Sequence, residues 1–199
     1  TDDGNALTES VQSLQASYYF DDRFYKRELS SIWYKNWIYV CHSNALEGPR
    51  AFQTIQIGTQ SIIVLKDRNN DLRAYYNTCR HRGSALCEEK TGRLKTPVFL
   101  CPYHQWSYSL EDGRLIKTSS FKNPDNFKKE EYGLFKVKLR EWRGCIFVNL
   151  DETSEWDVDN LFQRSANELK NFPIEDMKLG STWKKVIKCN WKSFWENFN

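Results

Sequence analysis

Residues 79–83 read CRHRG and residues 101–106 read CPYHQW. Each stretch holds one cysteine and one histidine, spaced C-x-H in the first and C-x-x-H in the second: Cys79, His81, Cys101 and His104. Each directly follows a short run typical of a strand, AYYN in one case and PVFL in the other. Because loops at the ends of neighbouring strands can meet, we expect these four side chains to form one site with two sulfur and two nitrogen ligands.

Two kinds of metal centre suit that donor set. Zinc binds two Cys and two His, but its usual finger pattern places the cysteines together and the histidines together. Here each loop supplies one of each, which favours a Rieske [2Fe–2S] centre, where two thiolates hold one iron and two imidazoles the other. The pattern disfavours four alternatives: a structural zinc module, incidental buried side chains, a disulfide framework and a Cys–His hydrolase.

Neighbouring residues support a metal centre. Gly83 allows a tight turn and a close approach of the backbone, and Pro102 stiffens the second loop. Trp106 and Tyr108 lie where they can shield a cluster, and the Tyr108 hydroxyl is placed to donate a hydrogen bond to sulfur. We therefore expect these four residues to surround the ligands.

Composition excludes several classes of protein. The net charge is only +3 and the basic residues are scattered, which argues against a dedicated nucleic-acid binder. The longest aliphatic runs, IIVL and CIFV, are too short to cross a bilayer, and the N-terminal TDDGNALTES lacks a signal-peptide core. We therefore expect a cytoplasmic protein with reduced thiols, and neither nucleic acid nor membrane among its partners.

The predicted secondary structure changes twice along the chain, from helices to strands and then to a mixture of both. Residues 1–36 are expected to be helical, with Leu7, Val11 and Leu14 on one face. Short β-branched and aromatic runs from residue 37 to residue 150 predict an antiparallel β domain, including a hairpin turn at Glu-Asp-Gly, residues 111–113. Further on, residues 155–173 predict a helix, TWKKVIKC (182–189) a strand, and WKSFWENF (191–198) a helix capped by Asn190.

The remaining cysteines, histidine and nearby arginines have plainer interpretations. Four cysteines are expected to act as small core residues: Cys41, Cys87, Cys145 and Cys189. His42 is expected at the surface or in a hydrogen bond. Three arginines form either a basic rim that attracts an acidic electron donor or a solvated loop: Arg80, Arg82 and Arg93.

Longer stretches resemble a known family. CRHRG together with CPYHQWSYSLEDGRL resembles the Rieske domain of ring-hydroxylating oxygenase large (alpha) subunits. SIWYKNWIYVCH resembles that family's N-terminal entry from helix to strand, and CNWKSFWENFN the segment just before its mononuclear iron ligands. The resemblance runs from about residue 20 to the end, and CRHRGSALC is most similar to the branch with glycine-betaine-type monooxygenases.

The resemblance implies a mainly β fold. An antiparallel β-sandwich Rieske domain would occupy residues 37–150, preceded by the helical segment 1–36. Residues 151–199 would begin a truncated α+β catalytic domain of helix-grip type, with the aromatic stripe at 191–198 in its core.

The resemblance also implies a function. Cys79, His81, Cys101 and His104 match the cluster ligands. The cluster would take electrons from a reductase or ferredoxin and pass them to a mononuclear Fe(II) held by two histidines and a carboxylate. That iron would activate O₂ for hydroxylation or demethylation of a small organic substrate by a mono- or dioxygenase.

Only part of that machinery is expected in this chain. Asn197 matches the asparagine near the mononuclear iron, whose histidines would follow Asn199. Once the two loop histidines are used only His42 remains, so the chain alone is expected to carry electrons without oxygenating substrate. The family implies a homotrimer in which His81 or His104 faces a neighbouring subunit's carboxylate. The alternative is a stand-alone Rieske ferredoxin, an electron carrier without a catalytic domain.

Overall fold

Short apolar runs separated by turn residues fold into small antiparallel sheets. A computed structural model describes residues 12–119 and 123–197. In this part of the chain the strands are Ile38–His42 (β1), Ala51–Ile57 (β2), Gln60–Lys66 (β3), Leu72–Tyr76 (β4), Thr91–Arg93 (β5), Val98–Leu100 (β6), Ser107–Ser109 (β7), Leu115–Lys117 (β8), Lys138–Trp142 (β9) and Cys145–Asn149 (β10).

Helical elements lie near both ends of the described chain. The α-helices are Ser17–Phe20 (α1), Asp22–Glu28 (α2), Val158–Leu161 (α3), Gln163–Glu168 (α4) and Trp191–Glu196 (α5). A π-helical turn, Leu29–Trp33, continues α2, and 3₁₀ turns occupy Ser43–Ala45, Lys129–Tyr132 and Ile174–Asp176. Within the described residues, none of these helices has the length and apolar character needed to cross a bilayer.

The strands form three sheets with the orders β4-β3-β2-β5, β1-β10-β9 and β6-β7-β8, and all paired neighbours run antiparallel. The mainly β, antiparallel fold predicted for the middle of the chain is therefore confirmed. A β-sandwich consists of two packed sheets, whereas this structure has three layers. The four-stranded sheet lies in the middle, with one three-stranded sheet against each of its faces.

The four-stranded sheet is buried on both faces. Along β3, Ile63 and Leu65 point to one face and Ile62 and Val64 to the other, and all four are fully buried. This explains why IIVL reads as a continuous apolar run rather than an alternating one. The second core, on the Ile62 face, contains Val40, Cys41, Leu46, Ala51, Ile57, Ile62, Val64, Ala74, Val137, Ile146 and Val148.

The opposite face carries the side chains of interest. It packs on the β6-β7-β8 sheet, and we call this cluster the site core: Phe52, Ile63, Leu65, Tyr75, Cys79, Leu86, Cys87, Phe99, Cys101, Trp106, Tyr108, Leu110, Leu115 and Leu134. Tyr75 of the central sheet meets Phe99 of the smaller sheet edge to face, with ring centroids 5.8 Å apart. The packing of these two sheets therefore brings the Cys-containing loops to one place.

The N-terminal helical segment packs against the last helix. Asn190 caps α5 by accepting a hydrogen bond from the Lys192 backbone N–H, as predicted. The Glu28 carboxylate at the end of α2 accepts hydrogen bonds from the Trp191 indole N–H at 2.8 Å and the Lys192 ammonium at 2.6 Å. Residues 17–20 and 22–33 are helical as expected, whereas the expected helix is wrong at Leu14, which is exposed in a segment without regular secondary structure. Leu7, Val11 and Phe198 lie outside the described residues.

The aromatic stripe of α5 is only partly covered. Trp191 packs edge to face on Trp33, with centroids 5.3 Å apart, while Phe194 and Trp195 are exposed. The helical prediction for 155–173 is confirmed as the two short helices α3 and α4, separated at Phe162. Within the described residues, the Trp191 side of the stripe is therefore covered more completely than the rest.

The strand predicted for residues 182–189 is wrong. This segment has no regular secondary structure, and the side chains of Trp183 and Val186 are 82% and 83% exposed. Cys189 is also exposed, so its assignment to the core is wrong as well. An alternating sequence becomes a strand only when a neighbour accepts its backbone hydrogen bonds, and no strand in residues 12–119 or 123–197 pairs with this segment.

The hairpin turn between β7 and β8 yields a test of the packing. A Cβ added at Gly113, whose φ is +77°, would lie 2.7 Å from the Tyr75 ring. We expect Gly113→Ala to lower the free energy of unfolding by about 2–4 kcal/mol, from the left-handed backbone and the overpacked ring. Urea unfolding followed by tryptophan fluorescence measures this change.

Gly180→Ala is the matched control, because no atom lies within 4 Å of the added Cβ and its backbone is not left-handed. Its effect should stay within about 0.5 kcal/mol. Equal effects of the two substitutions would contradict the assigned packing around Gly113.

Candidate metal centre

The first loop leaves the end of β4 and folds back on itself through backbone hydrogen bonds. The Cys79 N–H donates to the Ser84 carbonyl at 2.8 Å, and the Gly83 N–H donates to the Cys79 carbonyl at 3.0 Å. Gly83 has φ +73°, the conformation that glycine adopts without steric cost, and no other residue lies within 4 Å of the position a Cβ would take. The loop therefore keeps open space beside its turn.

The second loop, between β6 and β7, repeats the same backbone pattern. The Cys101 N–H donates to the Trp106 carbonyl at 2.8 Å, and the Gln105 N–H donates to the Cys101 carbonyl at 2.9 Å. Gln105, at the place that corresponds to Gly83, has φ +59°. Each cysteine thus bonds the residue five positions on through its N–H and the residue four positions on through its carbonyl.

The two cysteine side chains pair with each other at the inner end of the site. Cys79 and Cys101 are both buried in the site core. Burial raises the pKa of the Cys79 thiol above its ordinary value, the nearby Tyr108 hydroxyl opposes that rise, and the Cys101 thiol lies close enough to add to it. A bound cation would favour the thiolate form that ligates metals.

The two histidine side chains pair at the outer end. The Nδ1 atoms of His81 and His104 face each other at 3.1 Å, and both rings are partly buried. Burial, followed by the neighbouring His104, lowers the pKa of His81, which favours the neutral imidazole that binds metals.

The donors therefore pair like with like, thiol beside thiol and imidazole beside imidazole. Within the described residues, no three His, Cys, Asp or Glu side chains gather as they would around a single ion. A two-iron group with two sulfur and two nitrogen protein ligands asks for two such pairs. The donor chemistry and the open turn at Gly83 fit that group.

Tyr108 lies beneath the thiol pair on β7 and is fully buried. Its hydroxyl oxygen lies 3.1 Å from Cys79 Sγ and accepts a hydrogen bond from the Arg80 N–H at 3.1 Å. Because that oxygen already accepts from the backbone, its own hydrogen is free to point at the sulfur. Burial raises the pKa of Tyr108, so the hydroxyl stays protonated.

Aromatic rings cover the imidazole pair unequally. Trp106 stacks on His81 with centroids 4.7 Å apart and planes 10° from parallel, and Phe127 and Tyr132 pack on the far side of Trp106. Tyr103 lies over His104 with centroids 3.8 Å apart but is 61% exposed. Water is thus kept from one imidazole more completely than from the other.

Sequence reasoning missed three residues of this surround: Gln105, Phe127 and Tyr132. Aligning the two loops on their cysteines would have flagged Gln105, since it falls where the first loop has glycine. Phe127 and Tyr132 follow the last site strand by more than nine residues, and their segment carries no motif that ties it to Trp106.

The predicted basic rim is not a single surface. The Arg80 guanidinium lies over the Phe135 ring at 3.8 Å, and Arg93 donates to the carbonyls of Glu47 and Pro49. Arg82 is exposed. The three arginines thus have separate surroundings.

The other predicted residues add no donor to the thiol pair or the imidazole pair. His42 is hydrogen bonded, as expected, to the Ile174 carbonyl and the Asn44 N–H. Burial raises the pKa of Cys41 to about 11 and that of Cys87 to about 12, which suits inert core thiols. Cys145 is half-buried and Pro102 exposed, and Asn197 is exposed at the C-terminal end of α5.

The model of the Rieske [2Fe–2S] domain family matches residues 36–136, just over half of the chain. The chain belongs to that family. The matched residues contain both loops and every sheet partner of the site core, so the paired donors lie within the Rieske domain.

Curated relatives place this Rieske domain among oxygenase large subunits. The carnitine monooxygenase oxygenase subunit of Escherichia coli (strain K12) is 33% identical over 194 residues, 97% of this chain and 51% of that protein. The glycine betaine monooxygenase oxygenase subunit of Pseudomonas aeruginosa (strain UCBPP-PA14) is 31% identical over 185 residues, 93% of this chain and 42% of that protein. The chain therefore spans about half the length of the curated relatives it matches.

Solved structures of Rieske monooxygenases have the same fold as this chain. The apo form of CntA, a quaternary ammonium Rieske monooxygenase, superposes with a TM-score of 0.85 at 29% identity, covering 94% of this chain and 54% of that chain. A further structure, described as revealing carnitine oxidation by gut microbiota and inter-subunit electron transfer in a quaternary ammonium Rieske monooxygenase, has a TM-score of 0.83 at 29% identity over 92% of this chain and 49% of that chain. The resemblance to Rieske oxygenase large subunits is confirmed.

The Tyr108 hydroxyl should tune the cluster of this Rieske domain. A hydrogen bond to sulfur favours the reduced, more negative state, so Tyr108→Phe should lower the reduction potential by tens of millivolts, with about 59 mV for each tenfold change in the redox equilibrium. Protein-film voltammetry or a redox titration followed by EPR measures the shift.

Tyr75→Phe provides the matched control. Its hydroxyl is equally buried and donates to the Leu110 carbonyl at 3.0 Å without reaching a cysteine. It should cost about 1 kcal/mol of stability and leave the potential unchanged. An unchanged potential in Tyr108→Phe would refute the assigned hydrogen bond.

Proposed function

We propose that this chain is the electron-accepting part of the large subunit of a Rieske non-heme iron oxygenase. The observation that carries the proposal is the pairing of like donors, Cys79 with Cys101 and His81 with His104, in two loops that share one backbone pattern. Membership of the Rieske family and the oxygenase relatives support it.

The proposed ligands divide between two irons. Cys79 and Cys101 would hold the inner iron through sulfur, and His81 and His104 would hold the outer iron through Nδ1, the atoms that face each other. When bound, the group takes up and releases one electron at a time at a moderate potential, because neutral imidazoles replace two charged thiolates.

The protein's own residues bury one end of the centre and leave the other end near solvent. The site core surrounds both thiols, Tyr108 donates to sulfur, and Trp106 excludes water from one face of His81. The imidazole end is only partly buried, so an electron donor can approach it closely.

The remaining steps belong to the whole subunit. A reductase or ferredoxin would supply electrons, and a mononuclear Fe(II) site beyond the matched domain would use them with O₂ on a small organic substrate. The carnitine and glycine betaine relatives make quaternary ammonium compounds the first substrate class to assay. Electron transfer between subunits is proposed because the structure of the quaternary ammonium Rieske monooxygenase is described as giving insight into it. A cytoplasmic homotrimer is proposed because the family resemblance implies it.

We also propose the domain limits 1–36, 37–150 and 151–199. The contact of Glu28 with Trp191 and Lys192 joins the first and third of these regions directly. The helical N-terminal segment therefore supports the start of the catalytic domain, a role that a stand-alone ferredoxin has no need for.

Substitution of the proposed ligands tests the centre. Cys79→Ser and His104→Ala should each abolish the Rieske EPR signal of the dithionite-reduced, iron-reconstituted protein, because each removes a protein ligand of one iron. Iron and sulfide analysis should show close to complete loss of cluster.

Cys87→Ser is the control, since Cys87 is also buried in the site core but is not one of the proposed cluster ligands. It should keep the signal. A full cluster signal in either ligand variant, or bound zinc with no iron in the parent protein, would overturn the proposal.

A further inference from the structure

Asn77 is a buried polar residue at the end of β4 to which sequence reasoning gave no role. It is 4% exposed and lies two residues before Cys79. A carboxamide at such depth has to find partners for both its oxygen and its nitrogen, since an unpaired buried polar atom is costly.

The Asn77 carboxamide makes four hydrogen bonds. Its oxygen accepts from the Leu86 N–H at 3.1 Å and the Cys87 N–H at 2.9 Å. Its nitrogen donates to the Cys87 carbonyl at 2.7 Å and lies 3.2 Å from Ser61 Oγ, to which it also donates. The carboxamide thus satisfies the backbone at the point where the first loop returns.

The backbone of Asn77 is fixed as well. Its N–H donates to the Ser61 carbonyl on β3 at 2.8 Å. One residue therefore ties the departing end of the loop to the central sheet and the returning end to itself, so that the segment 78–85 is closed at its base.

The second loop has no such residue and needs none. Its two ends are β6 and β7, which pair as antiparallel strands with Leu100 opposite Ser107 at the base of the loop. The first loop returns at Leu86 without entering a strand. The Asn77 side chain supplies for the first loop the hydrogen bonds that strand pairing supplies for the second.

We infer that Asn77 is a positioning residue for the cluster. None of the hydrogen bonds of its side chain goes to one of the four proposed ligands, and it acts by holding the first loop in the position where Cys79 meets Cys101. The inference rests on the proposed ligand set. Loss of the carboxamide should let the base of the loop open and the cluster leave, even while the sheets stay folded.

A purely structural residue would behave differently. Asn149 on β10 is also a buried asparagine, 1% exposed, with bonds to the Lys35 carbonyl and the Asp151 N–H. It belongs to the β1-β10-β9 sheet, away from both loops. Asn77→Ala and Asn149→Ala therefore delete the same group at the same depth, and only the first lies at the base of a ligand loop.

The experiment uses the reconstituted holoprotein of the full chain. Cluster release is followed by visible absorbance under argon with an iron chelator in excess, and thermal unfolding is recorded in parallel. Asn77→Ala should release cluster about tenfold faster than the parent, as for other residues that orient metal ligands, and should broaden the Rieske EPR signal. Asn149→Ala should lower the melting temperature with an unchanged release rate and EPR signal.

Failure of the inference about Asn77 and failure of the proposed function give different results. Equal release rates for the two alanine variants, or a parent-like rate and EPR signal in Asn77→Ala, would overturn the inference. If Asn77→Ala fails to fold, the pair Asn77→Asp and Asn149→Asp is judged by the same criteria, since Asp keeps the acceptor oxygen Oδ1 and loses the donor NH₂ group. A parent protein that binds no [2Fe–2S] cluster would instead contradict the proposed function.

Discussion

The meeting of two buried thiols next to the Tyr108 hydroxyl is the constraint on which the rest of the structure depends. Cys79 follows a strand of the central sheet and Cys101 follows a strand of a different sheet, so the thiols meet only if the two sheets pack face to face. The edge-to-face contact of Tyr75 with Phe99 lies between those sheets. Burial at this depth disfavours the ionised thiol, so a metal that binds thiolates restores what burial costs.

Local sequence signals predicted most of this architecture because strands, turns and caps are local events. The β-branched and aromatic runs between residues 37 and 150 form strands as predicted, among them β2, β3 and β4, and Asn190 caps α5 as its side chain predicts. The failure at residues 182–189 has a non-local cause. Alternation can specify which face of a strand is apolar, but it cannot supply the neighbour that makes the strand, and Trp183 is left in solvent.

The ligand loops show the same division. Residue type and spacing pointed to Cys79 and Cys101, since metal chemistry limits which side chains serve. The carboxamide bonds of Asn77 carry no such signature, because the partners of a buried amide are known only once the chain has folded. The positive φ of Gln105 is suggested only when the two loops are aligned on their cysteines. The turn at Gly83 could be predicted from the sequence, since glycine is the residue that adopts a positive φ most readily.

The two ends of the proposed centre differ in their exposure to solvent, and this difference determines where an electron partner can approach. The sulfur end is enclosed by the site core, while the imidazole end lies at the surface. Trp106 with its aromatic neighbours covers one face of His81, whereas Tyr103, the ring that lies over His104, is itself largely exposed. In the proposed arrangement, an electron partner therefore comes nearest to the outer iron from the His104 side, and the same loop that holds that ligand presents the surface on which the partner would dock.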